Sequence, residues 1–162
     1  MQTNEKMPTN LPPTISQWVE SFNTRNIAAI IALYADGAEL FDSGMRRPRR
    51  GYTEIEHWFS WRFRSTPLTY TPTDQVRAEN DQIVVSWIAN GRGPRLFGLP
   101  LFARSFQVNG KSYFTLRDGL IQKQQGVYDH MSVLKQIAPP LKWLPSAVAR
   151  FIYAIYLWCG GQ

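Results

Sequence analysis

Cysteine and histidine are scarce in this sequence. Its 162 residues contain one cysteine, Cys159, and two histidines. A single cysteine excludes an internal disulfide, and so few sulfur and imidazole ligands argue against a structural zinc site. We therefore expect no bound metal, and a reducing cytoplasm is the simplest location for the protein.

Long apolar segments are also scarce. Residues 1–13 are polar and contain prolines, without the apolar core of a signal peptide, and we interpret them as a flexible tail. Residues 145–158 predict a helix, and residues 151–158 are apolar nearly all round, but a helix of about fourteen residues is only about 21 Å long, against a hydrocarbon core of about 30 Å. We expect a helical extension over residues 139–162 that packs on protein or touches a membrane surface through residues 141–158.

Acidic residues are outnumbered by basic ones. Lysine and arginine total 18 against 12 aspartates and glutamates, which gives a net charge of +6. Four arginines lie close together: Arg46, Arg47, Arg49 and Arg50. They can contact phosphate, a carboxylated ligand or acidic lipid head groups, or they can simply be solvated. No fingerprint of nucleic-acid binding accompanies the charge, so we expect no nucleic-acid partner.

The first third of the chain carries a regular helical pattern. The first helix is predicted from apolar residues at i, i+3, i+4 and i+7, namely Ile15, Trp18, Val19 and Phe22. The same spacing from Ile27 to Tyr34, behind the helix-capping residue Asn26, predicts a second helix. A third helix begins near Tyr52, and its inner face contains Ile55, Trp58, Phe59, Trp61 and Phe63.

Beyond residue 67 the pattern changes to that of β-strands. Residues 68–90 predict two strands, and Asn109-Gly110 is the strongest hairpin signal between two more. Asp118-Gly119 predicts a further turn into a last strand that ends near Asp129. Three helices followed by an antiparallel meander predict an α+β fold, and a curved antiparallel sheet wrapped on the helices would enclose a cavity open at one end.

Aromatic side chains are candidates for the lining of this cavity. Ser112 and Phe114 share one face of a strand, and Trp87 has the same two-residue rhythm on a neighbouring strand. Trp58 and Phe59 of the third helix would face them. Aromatic walls around a few polar groups suit a small apolar ligand, although the same side chains can simply fill the core.

Two polar features accompany these aromatic residues. Arg104 shares a strand face with apolar neighbours, so its side chain either extends outward to water or anchors an anionic group inside the cavity. Asp129 precedes His130, and a carboxylate beside an imidazole can hold one tautomer and relay protons. Adjacent strand residues point to opposite faces, so direct contact between the two requires a bend there.

Asp42 is the candidate proton acceptor. It ends a short apolar strand, where a carboxylate either faces a cavity with a raised pKa or starts the Asp42-Ser43-Gly44 turn. The run from Ala32 to Asp42, followed by Pro48-Arg49-Arg50-Gly51, resembles the ketosteroid isomerases and their superfamily, the nuclear transport factor 2-like cones. Residues 91–98 and 117–129 resemble the SnoaL-like polyketide cyclases.

The resemblance covers about residues 15 to 137 and implies a cone over residues 14–138 that forms a homodimer. It implies that Asp42 is the proton-moving base, that Trp18 and Ser112 occupy the positions of the family's two oxyanion donors, and that Gly126 occupies that of the cyclase base. These three positions depart from the family's residue types. An enzyme of this kind needs no metal or organic cofactor.

The function implied by the resemblance is binding of a small hydrophobic ligand of polyketide, terpenoid or steroid type. Asp42 would add proton-transfer chemistry of the isomerase or cyclase kind, without excluding a cone that only binds. The alternative left open is a non-catalytic lipid or pigment carrier whose C-terminal helix touches a membrane.

Overall fold

The computed structural model describes residues 11–77, 82–93 and 104–137, together with Val148 and Phe151. Its helices within these ranges are α1 (Pro13–Asn23), α2 (Ile27–Ile31), α3 (Gly51–Ser65) and α4 (His130–Ile137). Its strands there are β1 (Tyr34–Asp42), β2 (Arg49–Arg50), β3 (Leu68–Arg77), β4 (Gln82–Arg92), β5 (Ser105–Arg117) and β6 (Leu120–Tyr128). The fold is α+β, as predicted, and the six strands form one curved, unclosed sheet in the order β2-β1-β6-β5-β4-β3.

The first two helices form where the apolar pattern predicts them. α1 buries the predicted face that contains Ile15, Trp18 and Phe22. The Asn26 side chain caps α2 by accepting a hydrogen bond from the Ala29 N–H at 3.1 Å. α2 is shorter than predicted because it ends at Ile31, and Tyr34 opens β1 instead of closing a helix.

The sheet is mixed rather than wholly antiparallel. β1 and β6 run parallel, whereas the other neighbouring strands are antiparallel. A parallel pair cannot be joined by a tight turn, and the long connection between β1 and β6 allows it here. The β1–β6 register shifts between Tyr34 and Glu39, around Gly37 with its φ of 73°. This irregularity bends β1, so that its end approaches the end of β6.

Asn109-Gly110 does not form the predicted hairpin turn, because β5 runs straight through both residues. Gly110 lies opposite Trp87 of β4. A Cβ atom at Gly110 would lie 2.3 Å from the Trp87 indole, so the glycine provides the space in which that ring lies against the strand. The predicted turn at Asp118-Gly119 is confirmed, with φ values of 52° and 78° at its two residues.

α4 is a helix that the sequence pattern does not predict. β6 ends at Tyr128, and the Asp129 carboxylate accepts hydrogen bonds from the N–H groups of Met131 and Ser132 at 2.9 and 3.1 Å. Asp129 therefore caps α4 and places a bend between Tyr128 and His130.

The predicted C-terminal helix and most of the predicted N-terminal tail lie outside the described residues. Val148 and Phe151 are the exceptions at the C-terminal end, and both side chains are exposed. In the part of the chain that the structure covers, no helix has the length and apolar character needed to traverse a bilayer.

Candidate functional site

Three strands bring Asp42, Gly126 and Ser112 into one row across the sheet. Asp42 lies opposite Gly126, and Gly126 lies opposite Ser112. Paired residues direct their side chains to the same face, and this is the inner face because Ser112 and the nearby Leu40 are buried. Since neighbouring strands are about 4.8 Å apart, Asp42 and Ser112 are separated by roughly 10 Å of backbone. Gly126 contributes no side chain between them.

The Asp42 carboxylate is partly buried and hydrogen-bonded. Its Oδ1 accepts the Gly44 N–H at 2.8 Å, and the Tyr128 side chain donates a second hydrogen bond. A Cβ atom at Gly126 would lie 3.2 Å from Asp42 Oδ2, so the carboxylate lies over the bare backbone of that glycine. Asp42 thus both starts the predicted turn and faces the interior of the cone.

The pKa of the Asp42 carboxyl is raised above its ordinary value. Burial is the main cause, and the Arg62 charge, the Gly44 N–H and the Tyr128 side chain offset part of the increase. A carboxyl group whose pKa is raised holds a proton more strongly once it has accepted one than an ordinary surface aspartate does.

His130 contacts two neighbours of this carboxylate, Ser43 and Tyr128. Its Nε2 is 2.7 Å from the Ser43 Oγ, and its ring centroid is 4.0 Å from that of Tyr128. Burial, followed by the Arg62 charge, lowers the pKa of His130 to about 4, although Asp129 and the Ser43 backbone act in the opposite direction. The imidazole is therefore neutral at pH 7 and can donate at one nitrogen and accept at the other.

We call these five residues the carboxylate cluster: Asp42, Ser43, Arg62, Tyr128 and His130. The predicted pair Asp129 and His130 is divided in the structure, because the Asp129 carboxylate caps α4 whereas His130 joins this cluster.

The other predicted site residues belong mainly to an aromatic cluster deeper in the cone. We define it by its buried members: Trp18, Phe22, Tyr34, Phe59, Tyr70, Trp87, Ser112, Phe114 and Gln124. The Trp18 ring is its centre and contacts the rings of four others at centroid distances from 5.1 to 6.3 Å. Such close aromatic packing is typical of a hydrophobic core.

The polar atoms of the aromatic cluster pair with one another. The Trp18 indole N–H donates to the Tyr34 hydroxyl at 3.1 Å, which in turn donates to the side-chain oxygen of Gln124. Burial raises the pKa of Tyr34.

Ser112 is engaged in the same way. The Trp87 indole N–H and the Tyr70 hydroxyl hydrogen-bond to Ser112 Oγ at 3.0 and 3.3 Å. Trp18 and Ser112, which the resemblance places at oxyanion-donor positions, therefore have protein partners in this structure.

Two predicted residues lie at the edges of the site. Trp58 on α3 is half-buried, and its ring lies 4.8 Å from that of Trp61. Arg104 is exposed immediately before β5 begins, so the structure gives no support to Arg104 as an internal anchor for a ligand.

Tyr128, Arg62 and Ser43 are not among the predicted site residues. Tyr128 follows Gly126 by two residues on β6, so it shares the inner face. Arg62 follows Trp58 by four residues on α3, so it shares that helix face. These two spacings are the features of the sequence that could have identified Tyr128 and Arg62 as site residues. The contact of Ser43 with His130 joins residues 87 positions apart and has no local signal.

The described ranges contain no group of side chains that could hold a metal ion. There, no three or more histidine, cysteine, aspartate or glutamate side chains are grouped as ligands of an ion would be. The chemistry available to the carboxylate cluster is proton transfer and hydrogen bonding.

The family comparison agrees with this geometry. A family model described as a SnoaL-like domain matches residues 15–124, which is more than half of the chain. The match includes Asp42, Arg62 and Ser112 but ends before Tyr128 and His130. Among curated proteins, none matches the chain significantly.

Several solved structures share the fold. A protein with a ketosteroid isomerase-like fold from Catenulispora acidiphila, in complex with trimethylamine, is 23% identical with a TM-score of 0.69, covering 84% of this chain and all of its own. A protein from Silicibacter sp., provisionally named a polyketide cyclase, is also 23% identical, with a TM-score of 0.64 and coverage of 76% and 91%. TerC, co-crystallized with polyporic acid, is 15% identical, with a TM-score of 0.64 and coverage of 76% and 95%.

Proposed function

The chain belongs to the family of SnoaL-like domains, and on that basis we propose that it binds a small hydrophobic carbonyl compound beside Asp42 and moves a proton on it. The compound is of polyketide, terpenoid or steroid type. The observation that carries the proposal is the position of Asp42, a partly buried carboxylate with a raised pKa on the inner face of the sheet. The structural neighbours that were crystallised with trimethylamine and with polyporic acid support a small-molecule ligand.

The proposed step is abstraction of a proton from a carbon next to a carbonyl group. The Asp42 carboxylate takes the proton, and the electron pair of the C–H bond moves toward the carbonyl oxygen to form an enolate. Returning the proton to another carbon gives an isomerase, whereas attack of the enolate carbon on a second carbonyl gives a cyclase. The Tyr128 hydrogen bond keeps the carboxylate oriented during this exchange.

Deuterium exchange tests the proton transfer without knowledge of the natural ligand. An apolar ketone such as 2-tetralone is incubated with the protein in D2O, and loss of its α-hydrogen signals is followed by NMR. The wild-type protein should accelerate exchange, and Asp42→Asn should reduce the acceleration by at least about 10²-fold because the base is lost.

Asp36→Asn is the matched control, because Asp36 is an exposed aspartate on the same strand. It should leave the exchange rate unchanged. Equal exchange by the wild-type protein and Asp42→Asn would contradict the role of Asp42 as a base.

A non-catalytic carrier is the second candidate, and one observation favours it. Trp18 and Ser112 already hydrogen-bond to protein groups, so neither is free to stabilise an enolate oxygen unless those bonds rearrange. Losing an oxyanion donor typically costs about 10²- to 10³-fold in rate. A carrier should retain an apolar ligand in native mass spectrometry and should show no Asp42-dependent exchange.

The proposal extends to assembly and location. We propose a cytoplasmic homodimer in which residues 141–158 touch a membrane surface or cover protein. Native mass spectrometry reports the subunit count. Deletion of residues 141–162 should abolish liposome flotation if the segment binds lipid, and flotation that survives the deletion would contradict the membrane contact.

A further inference from the structure

Arg62 has an unusual position among the arginines of this protein. It lies in the last turn of α3, half-buried, where its charge acts on both Asp42 and His130. In the described part of the chain, its guanidinium forms neither an ion pair nor a hydrogen bond. A guanidinium has five N–H donors, and leaving them without protein partners at a partly buried position is costly.

Two of the four arginines that lie close together in the sequence are different. Arg47 pairs with Glu54 at 2.9 Å, and Arg50 pairs with Glu39 at 3.1 Å, all at the surface. These two charges are thus already compensated within the protein. Arg62 instead has no ion-pair partner among the described residues, and its charge acts on the two titratable groups of the candidate site, Asp42 and His130.

The dipole of α3 does not explain the position of Arg62. A cation in the last turn of a helix is stabilised by the carbonyl groups there, and Arg64 occupies the same turn. Arg64 is exposed, however, whereas Arg62 is half-buried. The dipole accounts for a basic residue in this turn but not for one that is partly withdrawn from water and whose charge acts on Asp42.

Asp42 is a poor permanent partner for Arg62. No oxygen of Asp42 lies within ion-pair distance of the guanidinium, and the carboxylate already accepts hydrogen bonds from Gly44 and Tyr128. His130 is neutral at pH 7, so it supplies no positive charge of its own. Arg62 is therefore the cation that an incoming negative group would meet next to the proposed base.

We propose that Arg62 binds an anionic oxygen of the ligand, so that the substrates of this site are hydrophobic organic acids carrying a carboxylate or phenolate. The inference rests on the proposed function, because it names the substrate class for the same site. A planar guanidinium suits such oxygens, since it can donate two parallel hydrogen bonds.

A pair of fluorescent probes tests the anchor. Anilinonaphthalene sulfonate carries an anionic group, and N-phenyl-1-naphthylamine has the same aromatic skeleton without it. Both are titrated into wild-type protein, Arg62→Gln, Arg62→Lys and the matched control Arg64→Gln. Arg62→Gln should weaken binding of the sulfonate about tenfold, because a charge-assisted hydrogen bond is lost, and should leave the neutral probe unchanged.

The other variants complete the test. Arg62→Lys should recover part of the sulfonate affinity, and Arg64→Gln should change neither probe. Equal loss of both probes in Arg62→Gln, or no loss of either, would overturn the anchor while leaving a hydrophobic site in place. If neither probe binds the wild-type protein, the hydrophobic site of the proposed function fails, and the anchor fails with it.

Discussion

The aromatic cluster and the carboxylate cluster lie on the same inner face, yet they satisfy their polar atoms in opposite ways. In the aromatic cluster, indole, hydroxyl and amide groups pair with one another between buried rings. In the carboxylate cluster, Asp42 and His130 are partly exposed groups with shifted pKa values, and the Arg62 guanidinium has neither an ion pair nor a hydrogen bond among the described residues.

This difference distinguishes side chains that pack the core from side chains that are candidates for a chemical role. Buried polar groups that are fully paired stabilise one arrangement of a core and offer little to a ligand. Partly exposed groups whose pKa values are shifted are more often functional than fully buried, fully paired groups are. Five residues that resemble site residues in the sequence belong to the packed aromatic cluster in this structure: Trp18, Phe59, Trp87, Ser112 and Phe114.

The largest expected effect comes from truncating a side chain of the aromatic cluster. Phe114 is fully buried, and Phe114→Ala should lower the free energy of unfolding by about 3–5 kcal/mol, because it removes a ring from a packed core. Urea denaturation measures this change. If the variant instead keeps wild-type stability and loses only ligand affinity, the aromatic cluster is a ligand site. The distinction between the two clusters would then be wrong.

His130 should produce a smaller effect, confined to a range of pH. Its pKa is about 4 when folded and about 6.5 when unfolded, so the unfolded chain binds the extra proton between these values. Stability is therefore lost as the pH falls from about 6.5 to about 4. We expect a loss of roughly 1–2 kcal/mol, less than the full shift implies, because the ring is partly exposed.

His130→Gln isolates this contribution in urea denaturation at pH 7 and pH 4. The difference between the two pH values should be smaller in the variant than in the wild-type protein. Asp42 acts in the opposite direction, because its raised pKa lowers stability as the pH rises above 3.8, so it cannot account for a loss on acidification. An unchanged pH difference in His130→Gln would contradict the burial of a neutral imidazole.

Gly126→Ala should have the smallest effect on stability. The new Cβ atom would lie 3.2 Å from Asp42 Oδ2, so the carboxylate must move by a few tenths of an ångström. We expect a change in unfolding free energy below about 1 kcal/mol and a measurable loss of ketone exchange.

Gly110→Ala is the counterpart in the aromatic cluster, and it should be far more destabilising because its Cβ would clash with the Trp87 ring at 2.3 Å. Similar stability of the two alanine variants would show that the clusters do not differ as described.

The sequence predicts the elements with strong local signals. The apolar spacing of α1, the Asn26 cap of α2 and the Asp118-Gly119 turn all lie where short-range rules place them. Asn109-Gly110 shows the limit of such rules. The same dipeptide that favours a turn also accommodates the Trp87 ring, and the ring belongs to another strand.

The candidate site was predicted less completely than the fold. Asp42 could be selected because a carboxylate at the end of an apolar strand is conspicuous in a sequence. Tyr128 and Arg62 could not be joined to it, because they come from β6 and α3, and only the parallel pairing of β1 with β6 brings the Asp42 and Tyr128 strand ends together.

The sequence by itself determined the fold class, the three N-terminal helices and the presence of an acid at the end of β1, because these depend on spacings of a few residues. The tertiary structure alone decided which polar groups of the described residues pair with protein and which do not. That decision depends on burial and on contacts between distant strands and helices, and those set both the pKa of Asp42 and the exposure of Arg62.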